Sequence, residues 1–167
     1  MYDYKNLFTV SDANFHLYFD KSENLLADLK RELPPKGYLA IVDLKGVSDT
    51  DKLFKIFVDA FRFPDYFGYN WSAFDECIND LKWLHSSSYV LVIINFDKMR
   101  VTEYDRQKLI YLLRKAADNW TKGRTFNPSF PTPPTPFHIV IALDNNERSG
   151  IVDFLKTQGV QNITDIQ

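Results

Sequence analysis

Two kinds of hydrophobic pattern alternate along the chain. Three continuous apolar runs, at residues 37–44, 89–95 and 137–143, are bounded by turn-forming residues, which is typical of strands buried on both faces. Between them, apolar residues recur at three- and four-residue spacing, which predicts amphipathic helices. Because parallel strands cannot be joined by short connections, and each connection here contains a predicted helix, the pattern predicts an α/β fold with a small three-stranded parallel sheet.

Capping and stop signals set the ends of the helices. The predicted helices cover residues 22–33, 50–62, 71–84, 102–120 and 147–158. Ser22 is the expected N-cap of the first, and Pro34 and Pro35 end it. Thr102 and Asp105 resemble a capping box at the start of the fourth, and Gly159 ends the last.

The length of 167 residues fits one domain with a single core. We expect this core at about 37–143, with an N-terminal extension at 1–36 and the C-terminal helix at 147–158. Five prolines lie within 127–136, so this stretch cannot form a regular ladder of hydrogen bonds and is expected to be an extended surface loop.

Composition narrows the classes of function. The formal net charge of −2 argues against nucleic acid as the direct ligand, because phosphate binding requires clustered lysine and arginine. No apolar run approaches the roughly 18 residues of a membrane-spanning helix, and the amino terminus lacks the pattern of a signal peptide. A single cysteine, Cys77, suits a reducing compartment. We therefore expect a cytoplasmic protein without a membrane partner, monomeric when free.

The segment GYNWSAFDECINDLKWL, at 68–84, combines a helix with a run of acids. Asn70 or Ser72 is its expected N-cap. At 100° per residue, the core side carries Trp71, Phe74, Ile78, Leu81 and His85. The outward side carries Ser72, Glu76, Asn79 and Trp83, with Asp75 and Asp80 at its borders.

Two interpretations of this outward side remain open. Acids near a helix start are favoured by the helix dipole, which explains Asp75 on an ordinary solvated face. That interpretation explains Glu76 and Asp80 less well, because they lie beyond the first turn, and it leaves Trp83 unexplained unless its ring folds back over the core rim. A local acidic surface with an aromatic neighbour instead indicates a binding site for a basic partner.

A family resemblance bears on this choice. The segment FPDYFGYNWSAFDECINDLKWL, at 63–84, resembles the signature of the barstar family of ribonuclease inhibitors, with Gly68, Asn70, Ala73, Glu76 and Cys77 in order and without a gap. The resemblance implies an intracellular inhibitor that inserts this helix and the preceding loop into the active site of a basic ribonuclease. The implied partner-binding residues are Tyr66, Asn70, Ser72, Asp75, Glu76, Asn79, Asp80 and Trp83.

The sequence also departs from the family pattern. Glu76 stands where the family has aspartate, Ser72 where it has a second aspartate, and Asp75 where it has tryptophan. The same acidic face would serve an immunity or regulatory module against a basic toxin that is not a ribonuclease.

Enzyme function is the remaining alternative. A metal-dependent enzyme would recruit Asp75, Glu76, Asp80 and His85 as ligands or as an acid and base. However, no nucleophile arrangement, HExxH motif or glycine-rich phosphate loop is present, so we predict no catalytic residue, metal ligand or cofactor.

Overall fold

A five-stranded parallel β-sheet lies at the centre of the computed structural model, which describes residues 3–125, 129, 131–143 and 148–166. Its strands are β1 (Phe15–Tyr18), β2 (Gly37–Asp43), β3 (Ser88–Ile94), β4 (Phe137–Ala142) and β5 (Ile163–Ile166). The helices of the described residues are α1 (Ser22–Glu32), α2 (Thr50–Phe61), α3 (Trp71–Asp80), α4 (Glu103–Lys122) and α5 (Arg148–Thr157). Short 3₁₀ helices occur at Tyr4–Phe8, Lys82–Leu84 and Phe96–Lys98. The prediction of an α/β fold is confirmed.

The strand order β2-β3-β4-β1-β5 corrects the prediction of three strands. The three predicted strands are β2, β3 and β4, and β1 and β5 extend the sheet beyond β4. Both added strands have four residues, and the polar His16 and Asp165 interrupt their apolar pattern. Neither strand therefore produces the continuous apolar run that marks the other three. The expected N-terminal extension thus contributes a strand to the sheet.

Helices cover both faces of the sheet. α2, α3, α4 and α5 pack on one face, against residues such as Leu91 and Ile139. α1 and the first 3₁₀ helix cover the other face, against residues such as Val90 and Val140. Because successive strand residues point to opposite faces, two covering layers explain the continuous burial of β3 and β4. β2 lies at an edge and is only partly buried.

Phenylalanine rings fill the space beneath α3. Phe74 of α3 contacts Phe54 and Phe57 of α2, with ring centroids 6.2 and 5.1 Å apart. All three side chains are 0–2% exposed. Since protein interiors pack at crystal-like density, this ring cluster fixes the core side of α3.

Outside α3, two of the three predicted cap residues agree with the helix ends. Thr102 is the N-cap of α4, because Asp105 N donates to Thr102 Oγ1 at 3.1 Å, and the Asp105 carboxylate accepts from the Thr102 hydroxyl at 2.6 Å. Gly159 follows α5 with a left-handed φ of 86°, as expected at a helix C-terminus. The Ser22 cap is wrong, because Ser22 is the first helical residue and Lys21 occupies the cap position without a side-chain hydrogen bond. Residue 147 lies outside the described residues.

The predicted proline-rich loop at 127–136 lies only partly within the described residues. There, Arg124 and Thr132 exchange two backbone hydrogen bonds of 2.8 and 2.9 Å in an isolated antiparallel bridge. Gly123 has a φ of 72°, and an added Cβ would lie 2.7 Å from the Thr132 carbonyl oxygen, so only glycine fits. No helix in the described part of the chain has the length and apolar character needed to cross a membrane.

Candidate protein-binding site

A side-chain cap fixes the start of α3. The Oδ1 atom of Asn70 accepts a hydrogen bond from Ala73 N at 2.9 Å, and its Nδ2 donates to the Gly68 carbonyl at 3.1 Å. Asn70 is therefore the N-cap, and Ser72 lies in the first turn with its side chain exposed. A Cβ on Gly68 would lie 3.0 Å from Asn70 Nδ2, so glycine allows the loop to close on the cap.

The loop before α3 alternates buried phenylalanines with exposed tyrosines. Phe63 and Phe67 are 6% exposed and their ring centroids lie 5.1 Å apart. Tyr66 is 70% exposed and Tyr69 is 49% exposed. The loop is thus anchored by its phenylalanines, and its tyrosines lie on the surface. Tyr66 has the exposure expected of a partner-binding residue.

Glu76 is exposed on the outer side of α3. Ser72 and Glu76 are four positions apart, which places them on one face of the helix, and both are exposed. Among the described residues, Glu76 has no hydrogen-bonding or ion-pairing partner. A partner can therefore bind the Glu76 carboxylate without breaking an internal contact of the protein.

Asp75 and Asn79 face α4, which corrects the prediction that Asn79 lies on the outward side. Asp75 Oδ2 pairs with Lys115 Nζ at 2.7 Å. Asn79 Nδ2 donates to Asp75 Oδ1 at 3.0 Å, and Asn79 Oδ1 accepts from Asn119 Nδ2 at 3.1 Å. A helical wheel gives angles about the axis of one helix, but it does not show that α4 lies along this side.

Trp83 packs against the core rim, which corrects its predicted place on the outward side of the helix. α3 ends at Asp80 because Leu81 adopts a left-handed φ of 49°, so the helical wheel does not extend to Trp83. The Trp83 indole donates to the Phe61 carbonyl at 2.8 Å, and its ring centroid lies 6.1 Å from that of Phe63. His85, predicted near the core side, is exposed and also has a left-handed φ of 51°.

The acidic surface is smaller than the sequence predicts. Asp75 is paired with Lys115, and Asp80 lies 3.4 Å from Lys82 Nζ. Within residues 63–84, all of which the structure describes, the exposed carboxylates without an ion-pair or hydrogen-bond partner are those of Asp65 and Glu76.

Beneath this surface, Cys77 is buried in α3. Its burial, together with the negative charges of Asp80 and Glu76, raises the pKa of the Cys77 thiol to about 11. The thiol is therefore protonated at neutral pH and packs as a small apolar group.

Sequence reasoning missed two residues of this region. Tyr69 occupies a position that the family pattern leaves variable, and its only signal is an aromatic residue between Gly68 and Asn70. Lys115 is 40 residues from Asp75 in sequence, and no local pattern indicates that they pair.

No group of three or more His, Cys, Asp or Glu side chains in the described ranges is placed to hold a metal ion. A cavity at the carboxyl edge of the sheet is lined by Phe19, Asp20, Lys21, Ser22, Glu23, Ile94, Asn95, Asp97, Ala142 and Leu143. None of the eight predicted partner-binding residues lines it. The candidate site is thus a surface of the loop and α3, separate from this cavity.

Comparisons with known proteins identify the fold and the family. A chain in the solved structure of Drosophila ORC bound to AT-rich DNA and Cdc6 is similar in fold, with a TM-score of 0.52 and 18% identity. The alignment covers 93% of this chain and 48% of that one, so this chain spans about half the length of the solved chain. No curated protein sequence matches it. The family model described as Barstar (barnase inhibitor) matches residues 37–131, from β2 through α4. This chain belongs to the Barstar family.

Proposed function

We propose that this protein is a cytoplasmic inhibitor that binds a basic ribonuclease and blocks its active site with α3 and the preceding loop. Membership of the Barstar (barnase inhibitor) family supports an inhibitor or immunity-like binding module. By the family resemblance, Glu76 stands where the family has aspartate, and its side chain is exposed. It would stand where an RNA phosphate binds in the cleft of the nuclease.

The availability of Glu76 is the observation that carries this proposal. Its side chain is exposed and has no partner among the described residues, while the helix that carries it is fixed by the Asn70 cap and by rings beneath. A carboxylate on a fixed element can meet a basic cleft with little loss of conformational freedom. Charge-assisted hydrogen bonds from arginine or lysine to a carboxylate are about twice as strong as neutral ones.

A ribonuclease inhibition assay tests this function. The purified protein is titrated against barnase and other basic ribonucleases with a fluorogenic RNA substrate. We expect competitive inhibition that Glu76→Gln weakens by about tenfold or more, because the substitution keeps the shape and removes the charge.

The matched control for this assay is Glu23→Gln, which neutralises an exposed acid of α1 on the other side of the sheet. This variant is expected to inhibit like the unmodified protein. Equal losses in the two variants, or no inhibition of any basic ribonuclease at micromolar concentration, would count against the proposal.

An immunity module against a basic toxin of other chemistry is the second candidate. The observation that favours it is the small number of open carboxylates, because Ser72 replaces a family aspartate and Asp75 is paired with Lys115. A surface with less charge than the family pattern suits a different cleft from that of barnase. Tight binding to a basic toxin, with ribonuclease activity unaffected, would favour this candidate.

A further inference from the structure

We propose that the partner-docking surface extends from Tyr66, Ser72 and Glu76, the positions that the family resemblance implies, to Tyr69, and that Lys115 closes the α4 side of α3 by holding Asp75. The inference rests on the proposed function. It adds Tyr69 as a partner contact and Lys115 as a positioning residue. The partner would present a basic group opposite Glu76 and an apolar wall to the tyrosine rings.

The α4 side of α3 is closed because its polar groups are already satisfied. The Asp75 carboxylate engages Lys115 at 2.7 Å through one oxygen and Asn79 at 3.0 Å through the other. Asn79 in turn donates to the Asp75 carbonyl at 2.8 Å and accepts from Asn119 at 3.1 Å. A partner that contacted Asp75 or Asn79 would have to break these bonds, and unmade hydrogen bonds are costly.

Contacts with α4 and the residues after it hold α3 at both ends as well. Near its start, Trp71 Nε1 donates to Asp105 Oδ1 at 3.1 Å. At its end, Trp120 Nε1 donates to the Ile78 carbonyl at 3.0 Å, and Arg124 donates to the Asn79 carbonyl. These bonds satisfy carbonyl groups that a helix C-terminus otherwise leaves free. Lys115 thus belongs to a set of contacts that fixes the direction in which Glu76 points.

The loop side is open, and its aromatic residues are held in place. Tyr69 has a left-handed φ of 50°, and its ring centroid lies 5.0 Å from that of the buried Phe67. Non-glycine residues adopt this conformation at an energetic cost, and such residues cluster at functional sites. A tyrosine that is 49% exposed and fixed before binding loses little entropy on contact, which is typical of an interface anchor.

The charge of the proposed surface changes along its length, and this restricts the partner. Tyr69 lines a shallow groove with Asp51, Lys52 and Lys55 of α2. Lys52 is paired with Asp49 at 3.6 Å, and Asp51 and Lys55 are exposed without an ion pair among the described residues. The surface is therefore acidic at Glu76, whereas the opposite charges of Asp51 and Lys55 offset each other beside Tyr69. A partner that is basic opposite Glu76 and neutral opposite Tyr69 fits it best.

A labelling experiment tests the closed side without any partner. Surface carboxylates are coupled to glycine amide with a carbodiimide under native conditions and located by mass spectrometry. We expect rapid modification of Glu76 and protection of Asp75. Lys115→Met should make Asp75 reactive, whereas Lys115→Arg should keep it protected. Modification of Asp75 as fast as Glu76 in the unmodified protein would overturn the proposed closure.

A binding experiment with barnase as the probe tests the open side. We expect Tyr69→Ala to weaken binding about tenfold or more under conditions in which an unfolding curve shows the variant to be fully folded, because removal of the ring also removes its contact with Phe67. The matched control is Tyr111→Ala, which removes a tyrosine of α4 that is 44% exposed and should leave binding unchanged.

The outcomes of the two experiments separate the two proposals. Stronger loss of binding in Asp75→Asn than in Tyr69→Ala, at equal stability, would overturn the docking surface alone. Absence of any barnase binding by the unmodified protein would count against the proposed function for this ribonuclease, whereas the labelling experiment needs no partner and decides by itself whether the α4 side is closed.

Discussion

The Nε2 atom of His16 lies 2.8 Å from Nδ1 of His138, and both rings are buried in the sheet. His138 Nε2 lies 2.8 Å from the Thr9 carbonyl oxygen, which can only accept, so neutral His138 carries its proton on Nε2. His138 Nδ1 then accepts from His16 Nε2, and His16 Nδ1 accepts from the Thr164 hydroxyl at 2.5 Å. These groups form one directional chain that links β5, β1, β4 and the segment before β1.

We expect both imidazoles to be Nε2–H tautomers at neutral pH. The chain of hydrogen bonds permits this arrangement, because Thr9 offers only an acceptor at one end and Thr164 can donate at the other. Long-range ¹⁵N–¹H correlation spectra of the histidine rings distinguish the tautomers. A ring with its proton on Nδ1, or with protons on both nitrogens, would contradict the assignment.

The buried histidines should make the fold less stable in mild acid. Burial, together with the charge of His138, lowers the pKa of His16 to about 3, and burial also lowers the pKa of His138. Below about pH 6.5 the unfolded chain binds protons at these rings and the native protein does not, so stability falls as pH falls. The expected slope approaches about 1.4 kcal/mol per pH unit for each ring that stays neutral.

Urea unfolding between about pH 7.5 and 5 measures this slope. This pH range lies above the pKa values of most carboxyl groups. His85→Asn is the control, because His85 is exposed and asparagine tolerates its left-handed conformation. This variant should show the same slope. Equal stability of the unmodified protein at both ends of the range would argue against neutral buried rings.

Glu76→Ala should weaken binding of the partner and leave the stability of the fold almost unchanged. A solvent-facing acid without an internal partner contributes little to the fold, so the free energy of unfolding should change by less than about 0.5 kcal/mol. Binding to the basic partner should weaken by about 2 kcal/mol or more. Chemical denaturation and titration calorimetry measure the two quantities. Similar losses in both would assign Glu76 a structural role.

Trp83→Ala should destabilise the isolated protein. The indole packs against Phe63 and donates to the Phe61 carbonyl, so its removal leaves a gap and an unpaired acceptor. Because the ring is half-buried, we expect a loss of about 2 kcal/mol, below the 3–5 kcal/mol typical of a fully buried ring. Trp83→Phe should recover most of the packing and lose only the hydrogen bond, about 1 kcal/mol. Unchanged stability in Trp83→Ala would indicate that Trp83 belongs to the partner-binding surface and not to the core rim.

Association with a basic partner should slow as salt is added. With two open carboxylates in the region, Asp65 and Glu76, we expect a modest effect, about tenfold in the association rate between about 0.05 and 0.5 M salt. Glu76→Gln should flatten this dependence. Stopped-flow measurements on both proteins check the prediction, and a rate indifferent to salt would exclude steering by these acids.

Local patterns in the sequence predicted those parts of the fold that depend on local structure. The apolar runs located β2, β3 and β4, and the Thr102 capping box located the start of α4. Exposure of Glu76 also followed from the helical wheel. β1 was not predicted because it is short and contains the polar His16. The hydrogen-bonding partners of His16 are residues distant in the chain.

The remaining parts of the site depended on tertiary structure. The wheel assigned Asn79 to solvent because nothing nearby in sequence indicates that Asn119 of α4 covers it. The helical wheel was also continued past Asp80, where α3 ends. The left-handed conformation of Leu81 that ends the helix is uncommon for leucine, and no sequence signal indicates it. Trp83 was misplaced for that reason.

The position of β1 between β4 and β5 determines when β1 can pair with its neighbouring strands during synthesis. The strand partners of Phe15 are Ile139 and Ile163, and the buried pair of His16 and His138 is separated by 122 residues. A ribosome must therefore translate most of the chain before the apolar Phe15–Tyr18 segment has a neighbour to pair with. Throughout that interval the segment lacks both of its strand partners, and the sheet is completed only after translation has passed β5.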